Sequence, residues 1–95
     1  MLFEWDEEKE KNNIAKHGID FETAARVFAD ENRLELYDAD HSDEEDRYIA
    51  IGMIGEVMYI VTVVFTDRNE AIRLISARKA IKQERKLYYD YSKRN

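Results

Sequence analysis

Cysteine and proline are absent from this 95-residue chain, and glycine occurs only three times. Without cysteine there can be neither a disulfide nor a thiolate metal site, so packing and hydrogen bonds must hold the fold. No proline-rich, repetitive or low-complexity segment divides the sequence, which reads as one domain over 1–95. No uncharged run approaches the length of a membrane-spanning helix. The longest strongly apolar stretch, Val57 to Phe65, has the length of a buried strand. The opening residues, Met-Leu-Phe-Glu-Trp-Asp-Glu-Glu, lack the basic start and apolar run of a signal peptide. The expectation is a cytoplasmic protein.

Hydrophobic residues make up 44% and charged residues 38%, enough for a modest core under a charged cover. The net charge of −6 argues against the whole surface binding nucleic acid. From Arg78 to the end, however, seven basic residues stand against two acidic ones, a balance of +5, so the preceding 77 residues carry −11. Contact with phosphate would therefore have to be local, and the acidic remainder could attract a basic partner.

Leu2 to Trp5 reads as a short strand. Asp6 stands at an N-cap, with Glu7 and Glu8 where the helix dipole favours carboxylates. Glu7 and Lys11 have the i,i+4 spacing of an ion pair. The helix stops at Lys16-His17-Gly18, and Asp20 caps a second helix whose buried face is Phe21, Ala24, Ala25 and Phe28. Leu34 to Tyr37 suits a strand, and Asp38 to Asp46 is an acidic loop. Arg47 to Ile54 alternates, with Tyr48, Ala50 and Gly52 on one face and Ile49, Ile51 and Met53 on the other. Gly55-Glu56 suits a hairpin turn into a central strand, Met58 to Phe65. After a turn at Thr66 to Glu70, Ala71 to Ala77 forms the last strand, with Ile72, Leu74 and Ser76 opposite Arg73, Ile75 and Ala77. A basic helix follows from Arg78. The pattern predicts an α+β domain of five strands and three helices, with an N-terminal helical pair, an antiparallel meander and a closing helix.

Several segments in this order resemble the BrnT toxin family: Phe3-Glu4-Trp5-Asp6, Asn13 with Lys16-His17-Gly18, and Phe21-Glu22 with Ala24-Ala25 and Phe28. They continue with Asp40-His41-Ser42, Arg47 with Ile51-Gly52, Ile75-Ser76-Ala77-Arg78, and Glu84 with Tyr88. Each is weak alone; their shared order over nearly the whole chain makes the resemblance specific. It implies a RelE-like fold and an endoribonuclease toxin that inhibits translation. It also implies a ribbon-helix-helix antitoxin of the BrnA type as partner, with operator DNA reached only through that antitoxin, and no membrane.

RNA can be cut without metal or cofactor, because its own 2′-hydroxyl can attack the adjacent phosphate. The protein must then move two protons and stabilise charge on the phosphorane. A guanidinium fork suits the phosphate. Arg78, read as opening the basic helix, and Arg68, at a turn between strands, are the arginines expected to share it; ordinary surface ion pairs are the plainer alternative for both. A basic residue is often found at the Arg68 position in BrnT-like sequences.

Lys16 could clamp a phosphate and His17 could exchange protons, or both could complement the carbonyl end of their helix. Glu84 and Tyr88 lie on one helical face, as base and stacking or proton-donating group, or as packing over the sheet. Arg47, Arg73, Lys79 and Lys82 complete the expected RNA-binding set. Trp5 reads as a core anchor.

The acidic loop fails the calcium-loop pattern, with Asp43 at the glycine position and Ile49 at the final glutamate position, so no metal site is expected. It is a candidate either to touch a basic antitoxin or to screen the RNA site. A second functional reading is a binding module without catalysis, acting as the antitoxin's co-repressor.

Overall fold

The computed structural model describes residues 1–55 and 59–93. Strand β1 (Leu2–Trp5) runs into Asp6, whose carboxylate accepts the backbone N–H groups of Glu8 at 2.8 Å and Lys9 at 3.1 Å. That caps helix α1 (Glu7–His17). Gly18 ends it in the left-handed conformation, φ +73°, donating its N–H to the Ile14 carbonyl at 2.8 Å. Asp20 repeats the cap on α2 (Phe21–Ala25) through the Thr23 N–H, and a 3-10 turn over Arg26–Ala29 continues it. Phe21, Ala24 and Phe28 are buried as their spacing predicts, and Ala25 packs half-buried beside them. Lys11 approaches Glu8 at 3.9 Å, one residue from the expected partner Glu7, and both side chains are exposed.

Strands β2 (Leu34–Tyr37), β3 (Tyr48–Ile54), β4 (Tyr59–Arg68) and β5 (Ala71–Lys79) form an antiparallel meander. The meander leaves the outer edge of β5 open and β1 fills it in parallel, Phe3 beside Ile72 and Trp5 beside Leu74. The sheet is thus five-stranded and mixed, in the order β1-β5-β4-β3-β2, and the fold class is α+β. The expected antiparallel meander is present, and β1 joins its edge in parallel.

Three expectations change at the β4–β5 hairpin. The strands run on to Arg68 and restart at Ala71, so Thr66 lies within β4 and only Asn69-Glu70 turns. The ladder slips by one residue, because Leu74 pairs Phe65 while Ser76 pairs Val64, leaving Ile75 as the extra residue of a bulge. Past that bulge the faces exchange: Ala77, not Ser76, joins Leu74 in the core, and Arg78 shares the opposite face with Arg73. Finally β5 continues to Lys79 because β4 is long enough to pair it, and helix α3 (Lys82–Ser92) starts only afterwards. Arg78 is therefore a strand residue, not the first residue of a helix. The Gly55-Glu56 turn and the strand start at Met58 fall partly on 56–58, outside the described residues.

Side chains on one sheet face, including Ala50, Val61, Val63, Phe65, Leu74 and Ala77, pack against Phe21, Ala24, Val27 and Phe28. Trp5 belongs to this layer, edge-on to Phe21 with centroids 6.0 Å apart. Full burial of a ring such as Phe21 contributes about 1.5–3 kcal/mol. Helix α3 lies on the other face, where Ile51, Ile60, Ala80 and Tyr88 form a smaller cluster with Leu34, Ile49 and Met53. It is pinned by Asp30, which accepts the Tyr88 hydroxyl at 2.6 Å and the Met53 N–H at 2.8 Å through the same oxygen. Among the described residues no helix is long and apolar enough to cross a membrane.

Candidate active site

Alternation along β4 turns Thr62, Val64, Thr66 and Arg68 toward the α3 side, while Val61, Val63 and Phe65 enter the core. The ladder sets Arg78 across from Thr62, Arg73 across from Thr66, and Ala71 across from Arg68. Helix α3 packs over β2 and β3. The face it shares with the rest of the sheet thus carries arginines at both ends of the hairpin.

At the α3 end, Arg78 grips Glu84 with both prongs, Nη1 to Oε1 at 2.7 Å and Nη2 to Oε2 at 2.9 Å. Glu84 Oε1 also accepts the Thr62 hydroxyl at 3.0 Å and the Ile81 N–H at 2.9 Å. The carboxylate thereby satisfies one of the free N–H groups at the start of α3. Partial burial pushes the Glu84 proton affinity up. The contacts with Arg78, Ile81 and Thr62 outweigh it, and the group is held below the ordinary carboxylate range. The same fork raises the pKa of Arg78. Both partners shift toward the charged form.

At the hairpin end, Arg68 grips Glu45 of the acidic loop, Nη2 to Oε1 at 3.1 Å and Nε to Oε2 at 3.3 Å. With Arg47, His41, Asp43 and Glu44 they line an open cavity of about 440 Å³. Arg73 donates to Glu4 at 2.7 Å. Arg47, Arg68 and Arg73 all lie close enough to Glu45 to favour its ionised form, Arg68 most strongly.

The expectation that Arg68 and Arg78 hold one phosphate between them is corrected by this geometry. Arg78 pairs Thr62, and Arg68 stands six residues further along the same strand. At about 3.3 Å per residue that is roughly 20 Å. Held on Glu84 and on Glu45, the two forks do not converge on one phosphate in this geometry.

The other expected site residues scatter. Tyr88 lies on the same helical face as Glu84, but it is buried and its proton is donated to Asp30. Burial, then the Asp30 hydrogen bond and charge, push its ionisation up, so the phenol stays neutral. Lys16 and His17 end α1, the helix that Asn13 ties to the edge of β5 at Ala77, and neither hydrogen-bonds the Arg78–Glu84 pair among the described residues. Lys79 pairs Val61, and its ammonium sits 5.1 Å from the centre of the Tyr59 ring, away from the Arg78 side. Lys82 is exposed at the first turn of α3. Among the described residues no three carboxylate or imidazole groups come together as metal ligands.

Sequence reading assigned no role to Thr62, placed Glu45 only within the acidic loop, and named Asn13 only within the family pattern. Thr62 is the one hydroxyl inside the apolar run Ile60 to Phe65, a visible oddity. Asn13, 6% exposed, accepts the Ala77 N–H and donates to the Ala77 and Ile19 carbonyls, fixing β5 immediately before Arg78.

The molecule is thus a small α+β protein with an arginine-bearing sheet face beside its last helix. The family model of the BrnT ribonuclease toxins of type II toxin–antitoxin systems matches residues 5–84, and the chain belongs to that family. Membership implies an antitoxin protein as partner. A comparison with curated proteins found no match.

Proposed function

We propose that this protein is an endoribonuclease that cleaves RNA without metal, through attack of the 2′-hydroxyl on the adjacent phosphate, at the Arg78–Glu84 pair. The carrying observation is the two-pronged contact itself: a guanidinium fork held by a carboxylate of matching shape. A phosphate presents the same oxygen geometry, so it can take Arg78 from Glu84 without moving the strand.

That exchange couples binding to proton transfer. Glu84 Oε2 accepts a hydrogen bond from Arg78 alone, so it keeps lone-pair capacity for a 2′-hydroxyl proton. While Arg78 is its partner, its proton affinity is depressed. Once the phosphate draws the guanidinium away, the largest influence lowering its proton affinity is gone and the carboxylate becomes a stronger base. Arg78 meanwhile stabilises the phosphorane charge, and as the P–O5′ bond breaks the departing 5′ oxygen takes its proton from solvent.

This reading keeps Arg78 and Glu84 in the chemistry, gives Tyr88 a supporting role through Asp30, and makes Arg68, Arg47 and Arg73 contacts to the RNA backbone. It gives Lys16, Lys79 and Lys82 no part in the chemical step. The partner is a BrnA-like ribbon-helix-helix antitoxin, which carries the complex to operator DNA; the site of action is the cytoplasm, on translated RNA.

A second reading, a co-repressor without catalysis, draws on the pairing of Arg68, Arg73 and Arg78 with Glu45, Glu4 and Glu84 in the free protein. One experiment separates the two. Purified protein is incubated in chelator with RNA, and with the same RNA carrying a single 2′-deoxynucleotide. Cleavage leaving 2′,3′-cyclic phosphate ends, blocked at the deoxy position and lost in Arg78→Gln and Glu84→Gln, is expected. Intact RNA together with tighter antitoxin binding to DNA would favour the co-repressor.

A further inference from the structure

Two threonines of β4 face the α3 side directly across from arginines: Thr62 beside Arg78 and Thr66 beside Arg73. Both are 1% exposed. The Thr62 hydroxyl donates to Glu84, whereas the Thr66 hydroxyl is buried without a partner, the only such side-chain atom among the described residues. Valine would fill the same space, and β4 uses it at 61, 63 and 64. An unused buried hydroxyl calls for an explanation.

Its neighbours supply one. Arg73 is opposite, Arg68 is two residues along on the same face, and Arg47 immediately precedes the Tyr48 that pairs Phe65. We infer that Thr66, Arg47, Arg68 and Arg73 form a second phosphate subsite, whose Arg68 is held in the free protein by the Glu45 carboxylate. The ligand is a phosphate of the same RNA strand that reaches Arg78, so the inference rests on the function proposed above. Thr66 lies four residues from Thr62, about 13 Å along the strand. A few nucleotides of single-stranded RNA cover that span, with Val64 and Ile49 half-buried beneath them.

The seat is already shaped for an anion. Glu45 meets Arg68 with both oxygens, as a phosphate would. The two side chains are 47% and 37% exposed, so exchange needs little rearrangement. Asp43 and Glu44 also line the cavity, but both are exposed, and neither hydrogen-bonds an arginine among the described residues. Glu45 is the competitor that an incoming phosphate must displace. Glu4 holds Arg73 at the opposite margin.

The test uses the full chain with uncleavable 2′-O-methyl oligonucleotides, a dinucleotide and a hexanucleotide, and measures affinity against salt. Thr66→Val should weaken the hexanucleotide about tenfold, the loss of one hydrogen bond to a charged acceptor. Arg68→Gln should lower its salt slope by about 0.7, one phosphate contact on a single strand. Glu45→Gln should tighten hexanucleotide binding, a gain that damage to the fold would not produce. The dinucleotide should respond to none of the three. Unchanged or weaker hexanucleotide binding in Glu45→Gln overturns the subsite, as does equal weakening of both oligonucleotides in Thr66→Val. RNA cleavage without this pattern sinks the subsite alone. The pattern without cleavage in the wild type leaves the subsite standing and removes the catalytic reading.

Discussion

Asn13 hydrogen-bonds both backbone groups of Ala77 with its side chain, accepting the N–H at 3.0 Å and donating to the carbonyl at 2.9 Å. Strand β1 ends its pairing at Leu74, so among the described residues no strand pairs this edge of β5 at Ala77. One amide stands in for a missing strand, next to Arg78.

Asn13→Ala should therefore cost about 2–4 kcal/mol, since it strands the Ala77 N–H and two carbonyls in a buried position. Urea unfolding would show it as a lower midpoint at unchanged slope. A loss below half a kilocalorie would mean that the backbone groups find other partners.

Tyr88→Phe removes the bond to Asp30 while keeping the packed ring. A loss of about 1.5–3 kcal/mol is expected, the range for a hydrogen bond to a charged acceptor. The chemical step should survive, because the hydroxyl is engaged with Asp30 and not with the Arg78–Glu84 pair. Loss of cleavage in a folded Tyr88→Phe protein would return the phenol to the mechanism.

Acid should destabilise the fold in a defined direction. Asp20 is lowered chiefly by the Thr23 N–H. Asp30 and Glu84 are pushed up by burial but held below the usual range, Asp30 by Met53, Tyr88 and Asn32, and Glu84 by Arg78, Ile81 and Thr62. A depressed carboxylate stabilises the folded state above its unfolded pKa of about 4, and loses that contribution as pH falls through the folded value. Urea midpoints should hold steady from neutrality to about pH 5 as far as these groups are concerned, then decline. Tyr88→Phe should shrink the decline, because Asp30 is then less depressed. An equal slope in both proteins would deny Asp30 its part.

Gly52 sits where β3 crosses the 3-10 turn. A Cβ there would lie 2.8 Å from Val27 Cγ1 and 3.2 Å from the Val27 carbonyl oxygen. Val27 is fully buried and stiff, so Gly52→Ala should destabilise by about 1–3 kcal/mol in thermal or urea unfolding. An unaffected protein would show that the turn can lift off the sheet at little cost.

Local chemistry was legible in the sequence where a single residue type decides the outcome. Asp6, Gly18 and Asp20 cap as expected, and the alternation of β3 holds residue by residue. The faces of β5 were not legible, because an extra residue at Ile75 inverts the pattern and nothing in Ile-Ser-Ala marks a bulge. The parallel partner of β1 is likewise a tertiary choice. For the site, Arg78 and Glu84 share no helical face, and their contact depends on β5 ending where it does. The separation of Arg68 from Arg78 could have been read: one borders a hairpin turn and the other follows the far end of that hairpin.

That separation makes the two arginines unequal in kinetics. Arg78 touches the reacting phosphate in the proposed mechanism, so Arg78→Gln should lower kcat about 10²–10³-fold, the scale of losing one transition-state donor. Arg68 is roughly 20 Å away along β4 and can contribute only to holding the RNA before and during the reaction equally. Its loss should raise KM and leave kcat nearly as it was, since uniform binding does not lower the barrier from the bound state. Single-turnover cleavage at saturating RNA measures this directly. Equal loss of kcat in both variants would overturn this division of roles and bring the two guanidiniums to one phosphate.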